Sequence, residues 1–439
     1  MRKAIETLKN IWKIEDLRQR ILITILFVAI YRFGSYVVLP GINPAMLAKL
    51  HEQTSEGLLA LLNMFSGGAF SNASIFALGI MPYISASIVI QLLGIAVPYF
   101  QKLQREGESG RRKMNQYTRY LTIAILLVQA PSYLLNLKMQ AGPSLNASLD
   151  WTLFMVTSTI ILAAGSMFIL WLGERITENG VGNGISIVLL INIISGMPSD
   201  FATLYSTFVA PRTIAKGVLA AAIIIAILVV MVVLVCFLQD GERRIPVQYS
   251  QKVSGRKTFG GQSTNIPLKV NTAGVMPVIF ASSLMQFPVI IAQLFGKSYE
   301  WTRYLSSSYW CRISAPKYSI GLILYIVLLI IFAYFYTSIT FNPIEVADNL
   351  KKAGGVIPGI TPGKSTSDYL NNILNYIVFV GAVGLLIIAL IPIMCTGFFN
   401  ASVSFGGTSV IIIVGVVLET LKQIESQMVN RYYKGFLSE

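Results

Sequence analysis

Apolar runs recur along the whole chain, with short polar segments between them. A helix needs about 20 consecutive apolar residues to cross a bilayer. Ten runs approach or reach that length, at residues 21–40, 74–96, 119–137, 151–173, 184–198, 214–238, 271–294, 317–340, 371–395 and 402–423. The fifth run is the shortest, because glycines flank a continuous apolar core at 185–194. The pattern predicts an all-α polytopic membrane protein with ten transmembrane helices.

The stretch ahead of the second run is apolar but is broken by glycine and serine. Residues 63–73 could enter a membrane but are too few to cross it. Non-helical backbone exists at membrane depth only where protein buries it or where it lines a water-filled cavity. In the run that follows, Ile80 and Ile84 lie one helical turn apart with Pro82 between them, which predicts a proline-bent helix. These features together indicate a pore with a segment seated in it.

The composition agrees with this class and restricts the chemistry. Of 439 residues, 54% are hydrophobic and 12% are charged, whereas soluble domains carry about 25% charged residues. The 3 cysteines fit no disulfide framework, and a single histidine, His51, excludes a histidine-built metal site. No small-residue cleavage site follows the first run, so no cleavable signal is expected. We expect neither a metal nor another cofactor.

The distribution of positive charge predicts the orientation. The chain carries 34 Lys and Arg residues against 20 Asp and Glu. Most of the basic residues lie before the first run, after the second, between the sixth and seventh, between the eighth and ninth, and at the C-terminus. Lys and Arg concentrate in cytoplasmic loops, and ten spans leave both ends on one side. Both termini are therefore predicted to be cytoplasmic.

Two loops on this face, at 239–270 and 341–369, are longer than a connection requires. Their glycine-rich turns predict ordered basic protrusions rather than low-complexity tracts. Such protrusions suit ribosomal RNA phosphates or an acidic protein partner. The alternative interpretation is that their charge only fixes the topology.

The runs divide evenly around a central polar segment. Five precede 199–213 and five follow it, an arrangement that often reflects inverted repeats around a central pathway. From the N-terminus, the predicted organisation is a cytoplasmic amphipathic segment 1–20, an N-terminal half 21–198, an external hinge loop 199–213, a C-terminal half 214–423 and a cytoplasmic tail 424–439.

Polar residues inside the apolar runs are few and mostly neutral. Arg32 lies in the first run, and the amides are Gln91, Gln129, Asn192 and Asn271. Ion-coupled transporters carry ionisable groups in their helices, and these runs offer almost none. Hydrogen bonds between buried amides are worth about 0.6–2 kcal/mol in a bilayer, which is weak enough to open and close. Ordinary helix packing is the alternative for any one of them.

No motif for catalysis or nucleotide binding is present. The string PGKST at 362–366 lacks the glycine spacing and the preceding strand of a P-loop. No nucleophile elbow, paired carboxylate or metal-ligand cluster can be identified. The chain is therefore not expected to be an enzyme, and any energy would come from a partner.

Five long strings carry a family resemblance. They are NMFSGGAFSNASIFALGIMPYISASI from residue 63, GERITENGVGNGISI at 173–187, QSTNIPLKVNTAGVMPVIFASS at 262–283, FNPIEVADNLKKAGGVIPGI at 341–360 and FGGTSVIIIV at 405–414. The chain resembles the SecY family, the large channel-forming subunit of the bacterial Sec protein translocon, from about residue 12 to 427. The resemblance implies two pseudo-symmetric five-helix halves, hinged between the fifth and sixth helices, with a short plug helix.

The resemblance also assigns the pore. The six aliphatic side chains of the implied waist, hereafter the pore ring, are Ile80, Ile84, Ile185, Leu189, Ile279 and Ile412. Leucine at 189 stands where the family often has isoleucine. The implied plug, residues 62–73, consists of Leu62, Asn63, Met64, Phe65, Ser66, Gly67, Gly68, Ala69, Phe70, Ser71, Asn72 and Ala73. Its two glycines are expected to keep it weakly bound.

The resemblance further implies a lateral gate between the second and third helices on one side and the seventh and eighth on the other. Gln91, Gln129 and Asn271 are the predicted polar contacts across it. The basic residues expected to dock a motor or a ribosome are Arg243, Arg244, Arg256, Lys257, Lys351, Lys352 and Lys364. Between the two PG dipeptides the family commonly has arginine, and here Thr361 cannot form a charged fork.

The expected partners are the small membrane subunits SecE and SecG, the SecA ATPase, the ribosome, signal sequences, nascent or secretory polypeptides and anionic lipids, with no DNA partner. The expected location is the bacterial inner membrane. A gated polypeptide channel is the leading hypothesis. A secondary transporter with a 5+5 fold would need coupling residues that the sequence lacks. A membrane-embedded enzyme or insertase would need a catalytic constellation.

Overall fold

The computed structural model describes residues 12, 14–43, 63–141, 150–210, 214–249, 252–254, 257–259, 263–294, 300–305, 310–311, 316–399 and 407–434. In chain order its elements are α1 (Glu15–Gly34), α2 (Met81–Ala96), α3 (Pro98–Arg105), α4 (Glu108–Ala141), α5 (Trp151–Asn179), α6 (Gly184–Leu204), α7 (Ile214–Asp240), β1 (Glu242–Tyr249), β2 (Lys252–Ser254), β3 (Lys257–Phe259), β4 (Ser263–Lys269), α8 (Met276–Leu294), α9 (Thr302–Leu305), α10 (Ile320–Thr340), α11 (Pro343–Lys352), β5 (Gly355–Val356), α12 (Lys364–Phe399) and α13 (Gly407–Lys434).

The ten predicted spans correspond one to one to ten long helices of the described chain. These are α1, α2, α4, α5, α6, α7, α8, α10, α12 and α13. Six of them, α4 to α7, α10 and α12, lie in helical stretches long and apolar enough to cross a membrane by length and composition. The all-α, ten-helix prediction is confirmed, and the chain is a multi-pass membrane protein.

The bend in the second span lies elsewhere than predicted. Pro82 does not bend the helix, because α2 begins at Met81 and the proline occupies the first turn, where its missing N–H has no intrahelical partner to lose. The sharp turn comes after α2, where Val97 is extended and α3 leaves at 100°. Residues 74–80, predicted as helix, form a β-bridge from Ser74 to Val38 and then turns.

Several helix ends lie beyond the predicted limits. The segment predicted as the hinge loop, 199–213, is helical to residue 209, because α6 runs to Leu204 and a π-helix follows at Tyr205–Val209. The start of α1 at Glu15, the start of α12 at Lys364 and the end of α13 at Lys434 also extend into stretches predicted as non-membrane segments. Apolarity marks the part of a helix in lipid, whereas the hydrogen-bonded backbone continues into the polar flank until a breaker stops it.

The two long loops that are predicted to be cytoplasmic form a single packed unit rather than two protrusions. In a three-stranded sheet of order β4–β1–β5, β1 pairs antiparallel with β4, with Ile245 opposite Ile266, and with β5, with Gln248 opposite Val356. Alternate β1 side chains, Ile245 and Val247, point inward. They share a buried cluster with Leu268, Leu350, Ile357, Leu370, Ile373 and Ile377. The loop unit, residues 242–249, 263–269 and 341–377, therefore ties strands from both loops to α11 and α12.

Close helix contacts depend on individual glycines. A Cβ atom at Gly165 of α5 would lie 2.2 Å from the Ile75 carbonyl oxygen. The helix therefore packs directly on the backbone that follows the plug, and no side chain fits between them. At Gly196 of α6, in contrast, an added Cβ would meet nothing within 4 Å.

Replacing Gly165 by alanine is expected to destabilise the protein by about 1–3 kcal/mol, because the Ile75 backbone would have to move. Gly196→Ala is the matched control, and its greater helix propensity predicts no loss. Thermal unfolding of the purified, detergent-solubilised protein measures both. Equal midpoints for the two variants would contradict the close packing of α5 on Ile75.

Candidate pore and plug

The structure brings the six predicted pore-ring residues into one hydrophobic cluster. Ile80, Ile84, Leu189, Ile279 and Ile412 are each at most 7% exposed, and Ile185 is partly buried against them. They come from α2 and the residue before it, α6, α8 and α13, so both halves of the chain contribute to the same cluster. Branched aliphatic side chains repel water and ions from a narrow passage. They also yield to any side chain, because dispersion contacts are non-directional.

Local structure holds the ring residues of α2 and α6 in position. The Ile84 N–H donates to the Ile80 carbonyl at 3.2 Å, so the two stay one turn apart. The Asn183 side chain caps α6 by accepting from the N–H groups of Ile185 and Ser186 at 3.1 and 3.4 Å. Capping of this kind satisfies the otherwise free donors of a first turn and places Ile185 and Leu189 on successive turns.

The described plug residues, 63–73, form one helical turn at 63–66 followed by hydrogen-bonded turns. Leu62 lies outside the described residues. Met64, Phe65 and Ala69 belong to the same cluster as the pore ring. Phe70 and Ala73 instead join a second cluster with residues of α4 and α5. The plug residues are therefore divided between the cluster that contains the predicted ring and a second cluster formed with α4 and α5.

Polar side chains from several helices hold the plug backbone. The Asn192 amide donates to the Phe65 carbonyl at 2.6 Å, Arg32 donates to Gly67 at 3.0 Å, and the Tyr133 hydroxyl donates to Phe70 at 2.8 Å. From α13, the Ser409 hydroxyl donates to the Met64 sulfur at 3.0 Å. The sequence analysis predicts a weakly bound plug and does not connect these residues with it. A polar residue in an otherwise apolar helix, such as Arg32 or Asn192, is the sequence feature that could have indicated these contacts.

The two plug glycines have different surroundings. Gly67 has a positive φ of +64°, and a Cβ there would lie 2.6 Å from the Asn192 Oδ1 atom. Gly68 also has a positive φ, +86°, but faces open space. The backbone conformation therefore favours glycine at both positions, whereas close approach to a neighbour requires it only at Gly67.

The predicted gate residues make no hydrogen bonds with one another among the residues that the structure describes. Helices α4 and α8 are in contact, which joins the two proposed sides of the gate. Gln91 donates to Ser87 of its own helix at 3.2 Å, and its Oε1 atom is buried without a partner, as is Nδ2 of Asn271. Gln129 is half-buried. Their role across the gate stays a prediction.

Gln91 also lines a cavity of about 500 Å³ at the junction of α2, α3 and the start of α4. Gln104 and Arg111 lie on its other walls.

Within the described ranges, no group of three or more His, Cys, Asp or Glu side chains could hold a metal ion.

The predicted docking residues lie on the loop unit as far as they are described. Arg243 and Arg244 are exposed on β1, and Arg244 forms an ion pair with Glu242 at 2.6 Å. Lys351 and Lys352 are exposed in the last turn of α11, where cations favour the helix dipole. Two further basic positions lie outside the described part: Arg256 entirely, and Lys257 in its side chain.

In the second loop, turns on both sides of Thr361 connect β5 to α12. This residue is exposed, and its carbonyl accepts from the Thr366 hydroxyl at 2.9 Å. Lys364 is exposed at the first position of α12 rather than in a loop.

Comparison with known proteins identifies the family. A family model described as SecY matches residues 74–421. The chain belongs to the SecY family. The protein translocase subunit SecY of Streptomyces galbus is 43% identical over 434 residues, with 96% of this chain and 97% of that protein covered. The SecY subunit of Halalkalibacterium halodurans is 42% identical over 443 residues, with 98% and 99% covered.

Solved structures share the SecY fold. A protein-conducting channel gives a TM-score of 0.63 at 16% identity, covering 94% of this chain and 93% of that one. A SecY protein whose plug domain stabilises the closed state and maintains a membrane seal gives a TM-score of 0.63 at 18% identity, covering 94% of this chain and 92% of that one. Sec61 in a canine ribosome–channel complex gives a TM-score of 0.60 at 16% identity, covering 94% of this chain and 93% of that one. At these identities, the likeness shows the fold alone.

The pore ring predicts a specific leak. Changing both Ile84 and Ile279 to asparagine introduces two amides that hydrate the constriction, so resting ion conductance should rise at least tenfold. Conductance of proteoliposomes containing the purified variant measures this. The matched control changes the same two positions to leucine, which keeps the ring aliphatic and should stay tight. A tight asparagine variant would show that the barrier lies elsewhere.

Proposed function

We propose that the chain is the channel-forming subunit of a protein translocase. It passes unfolded secretory polypeptides across the bacterial inner membrane and releases transmembrane segments sideways into lipid. The observation that carries this proposal is the single hydrophobic cluster in which six aliphatic side chains from both halves lie together with Met64, Phe65 and Ala69 of the predicted plug. Near-full-length similarity to curated translocase subunits supports it.

The ring suits a polypeptide better than a small solute. A transporter site needs polar or charged groups that recognise its substrate and coupling ion, whereas the ring residues are six aliphatic side chains. A polypeptide presents every kind of side chain in turn, so a collar that fits closely without directional bonds is the appropriate lining. The 5+5 transporter alternative gains no support from the relatives, which are named translocase subunits.

Energy for transport would come from a partner bound to the loop unit, which we propose faces the cytoplasm. Its exposed basic residues, Arg243, Lys351, Lys352 and Lys364, suit the acidic surface of a motor or the phosphates of ribosomal RNA. The solved structures of canine Sec61 and yeast Ssh1 with ribosomes support a ribosome partner. We extend the proposal to the SecA ATPase and to the small subunits SecE and SecG. We infer no catalytic activity for the chain itself.

Signal sequences would enter through the lateral gate beside α4 and α8. An apolar signal segment prefers lipid to the aqueous pore, while its basic flank stays on the cytoplasmic side near anionic lipids. The excess of Lys and Arg in the loops of one face supports cytoplasmic termini for this chain.

A stalled secretory precursor should crosslink to a photoreactive residue placed at Ile84. The same probe at Val229, which is 55% exposed on α7, should give no crosslink because that surface faces lipid in the proposed arrangement. Gel analysis of the irradiated complex measures both. Crosslinking at Val229 alone, with the precursor shown to be engaged, would exclude the ring as the conduit.

Reversing the positive charge of two lysines on the loop unit should weaken partner binding. Lys351→Glu with Lys352→Glu is expected to reduce ribosome or SecA affinity about tenfold at low salt, with the difference shrinking as salt rises. Binding to the reconstituted protein at several salt concentrations measures this. Lys138→Glu is the control and should bind normally, because Lys138 lies in the last turn of α4, on the face of the membrane predicted to be opposite the loop unit. Unchanged affinity of the double variant would place docking on other residues.

A further inference from the structure

A buried polar pair, Tyr31 of α1 and Asn192 of α6, connects the helix bundle to the plug backbone. Both side chains are at most 1% exposed. The Tyr31 hydroxyl donates to the Asn192 Oδ1 atom at 2.7 Å, and the Asn192 Nδ2 atom donates to the Phe65 carbonyl at 2.6 Å. We propose that this pair is a latch that determines how readily the plug leaves the pore. The inference rests on the channel function proposed above.

The surrounding packing fixes the geometry of the latch. The Tyr31 ring stacks on Phe76, with centroids 5.8 Å apart and planes 10° from parallel, so its hydroxyl is aimed at Asn192. That hydroxyl also lies 3.5 Å from the Ser66 carbonyl. The plug can approach Asn192 this closely because Gly67 has no Cβ. The pair and the glycine are therefore complementary parts of one contact.

Plug displacement would separate these groups. The Phe65 carbonyl and the Asn192 amide would both lose their partner inside an apolar cluster, which is unfavourable until water or another backbone replaces it. A translocating polypeptide brings both water and peptide groups into the pore. The latch would thus oppose spontaneous opening of an empty channel more than opening by substrate. Asn192 is in this sense a positioning residue for the seal.

The test measures plug exposure directly. Ala69 is fully buried, and Ala69→Cys, in a background with Cys236, Cys311 and Cys395 changed to serine, reports plug release through its reaction with a membrane-impermeant maleimide. We expect Asn192→Leu to raise the labelling rate at least tenfold and Tyr31→Phe to raise it less. Adding Tyr31→Phe to Asn192→Leu should cause no further increase, because the two residues act in one contact.

Tyr325→Phe is the matched control. It removes the hydroxyl of another buried tyrosine, on α10 of the C-terminal half, whose partner is Ser282 rather than the plug. Its labelling rate should equal that of the parent. A rate that rises equally in this control would mean that the effect is general loosening, and would overturn the latch.

Two further outcomes separate the latch from the channel function. A variant without residues 63–73 should leak ions, and a tight deletion variant would overturn the proposed plug itself. A leaking deletion variant together with unchanged Ala69→Cys labelling in folded Asn192→Leu would overturn the latch alone. If Asn192→Leu does not fold, Tyr31→Phe decides, because it removes only a hydroxyl; an unchanged rate there also overturns the latch.

Discussion

Irregular backbone inside a membrane protein must find its hydrogen-bond partners in the protein, because lipid offers none. The plug is a segment of this chain on which that constraint acts. Three of its carbonyl groups accept hydrogen bonds from α1, α4 and α6, and these donors are long or polar side chains placed in otherwise apolar helices. This need accounts for the presence of Arg32, Tyr133 and Asn192 in those helices.

In the proposed channel, the ring and the plug would be two barriers that depend on different physics. The ring depends on burial of apolar surface, which has no preferred direction and adapts to whatever passes. The plug depends on directional hydrogen bonds at fixed distances. Met64 and Phe65 belong to the ring cluster through their side chains, while the Phe65 carbonyl belongs to the polar contacts. One short segment therefore takes part in both barriers. The proposed ring would adapt to the width of what passes, whereas hydrogen bonds would fix the position of the plug.

The parts that could be predicted from sequence are those with a repeating or local signal. The ten helices follow from apolar runs. Ile279 by itself looks like any core residue, so only the family resemblance could assign it to the ring. Helix ends were misplaced, as at Lys364, because backbone hydrogen bonding continues past the apolar part. The sheet and the Tyr31–Asn192 pair could not be predicted, since both depend on contacts between residues far apart in the chain.

Helix α12 has a mechanical consequence. It comprises 36 residues, about 54 Å at 1.5 Å per residue. Near its start, Leu370 and Ile373 lie in the core of the loop unit, while Leu385 and Ile388 farther along lie in the cluster that contains the predicted ring. One continuous helix thus connects the surface proposed for partner docking with the proposed constriction. In that arrangement, a partner that displaces the loop unit would also displace the helix that packs beside the ring.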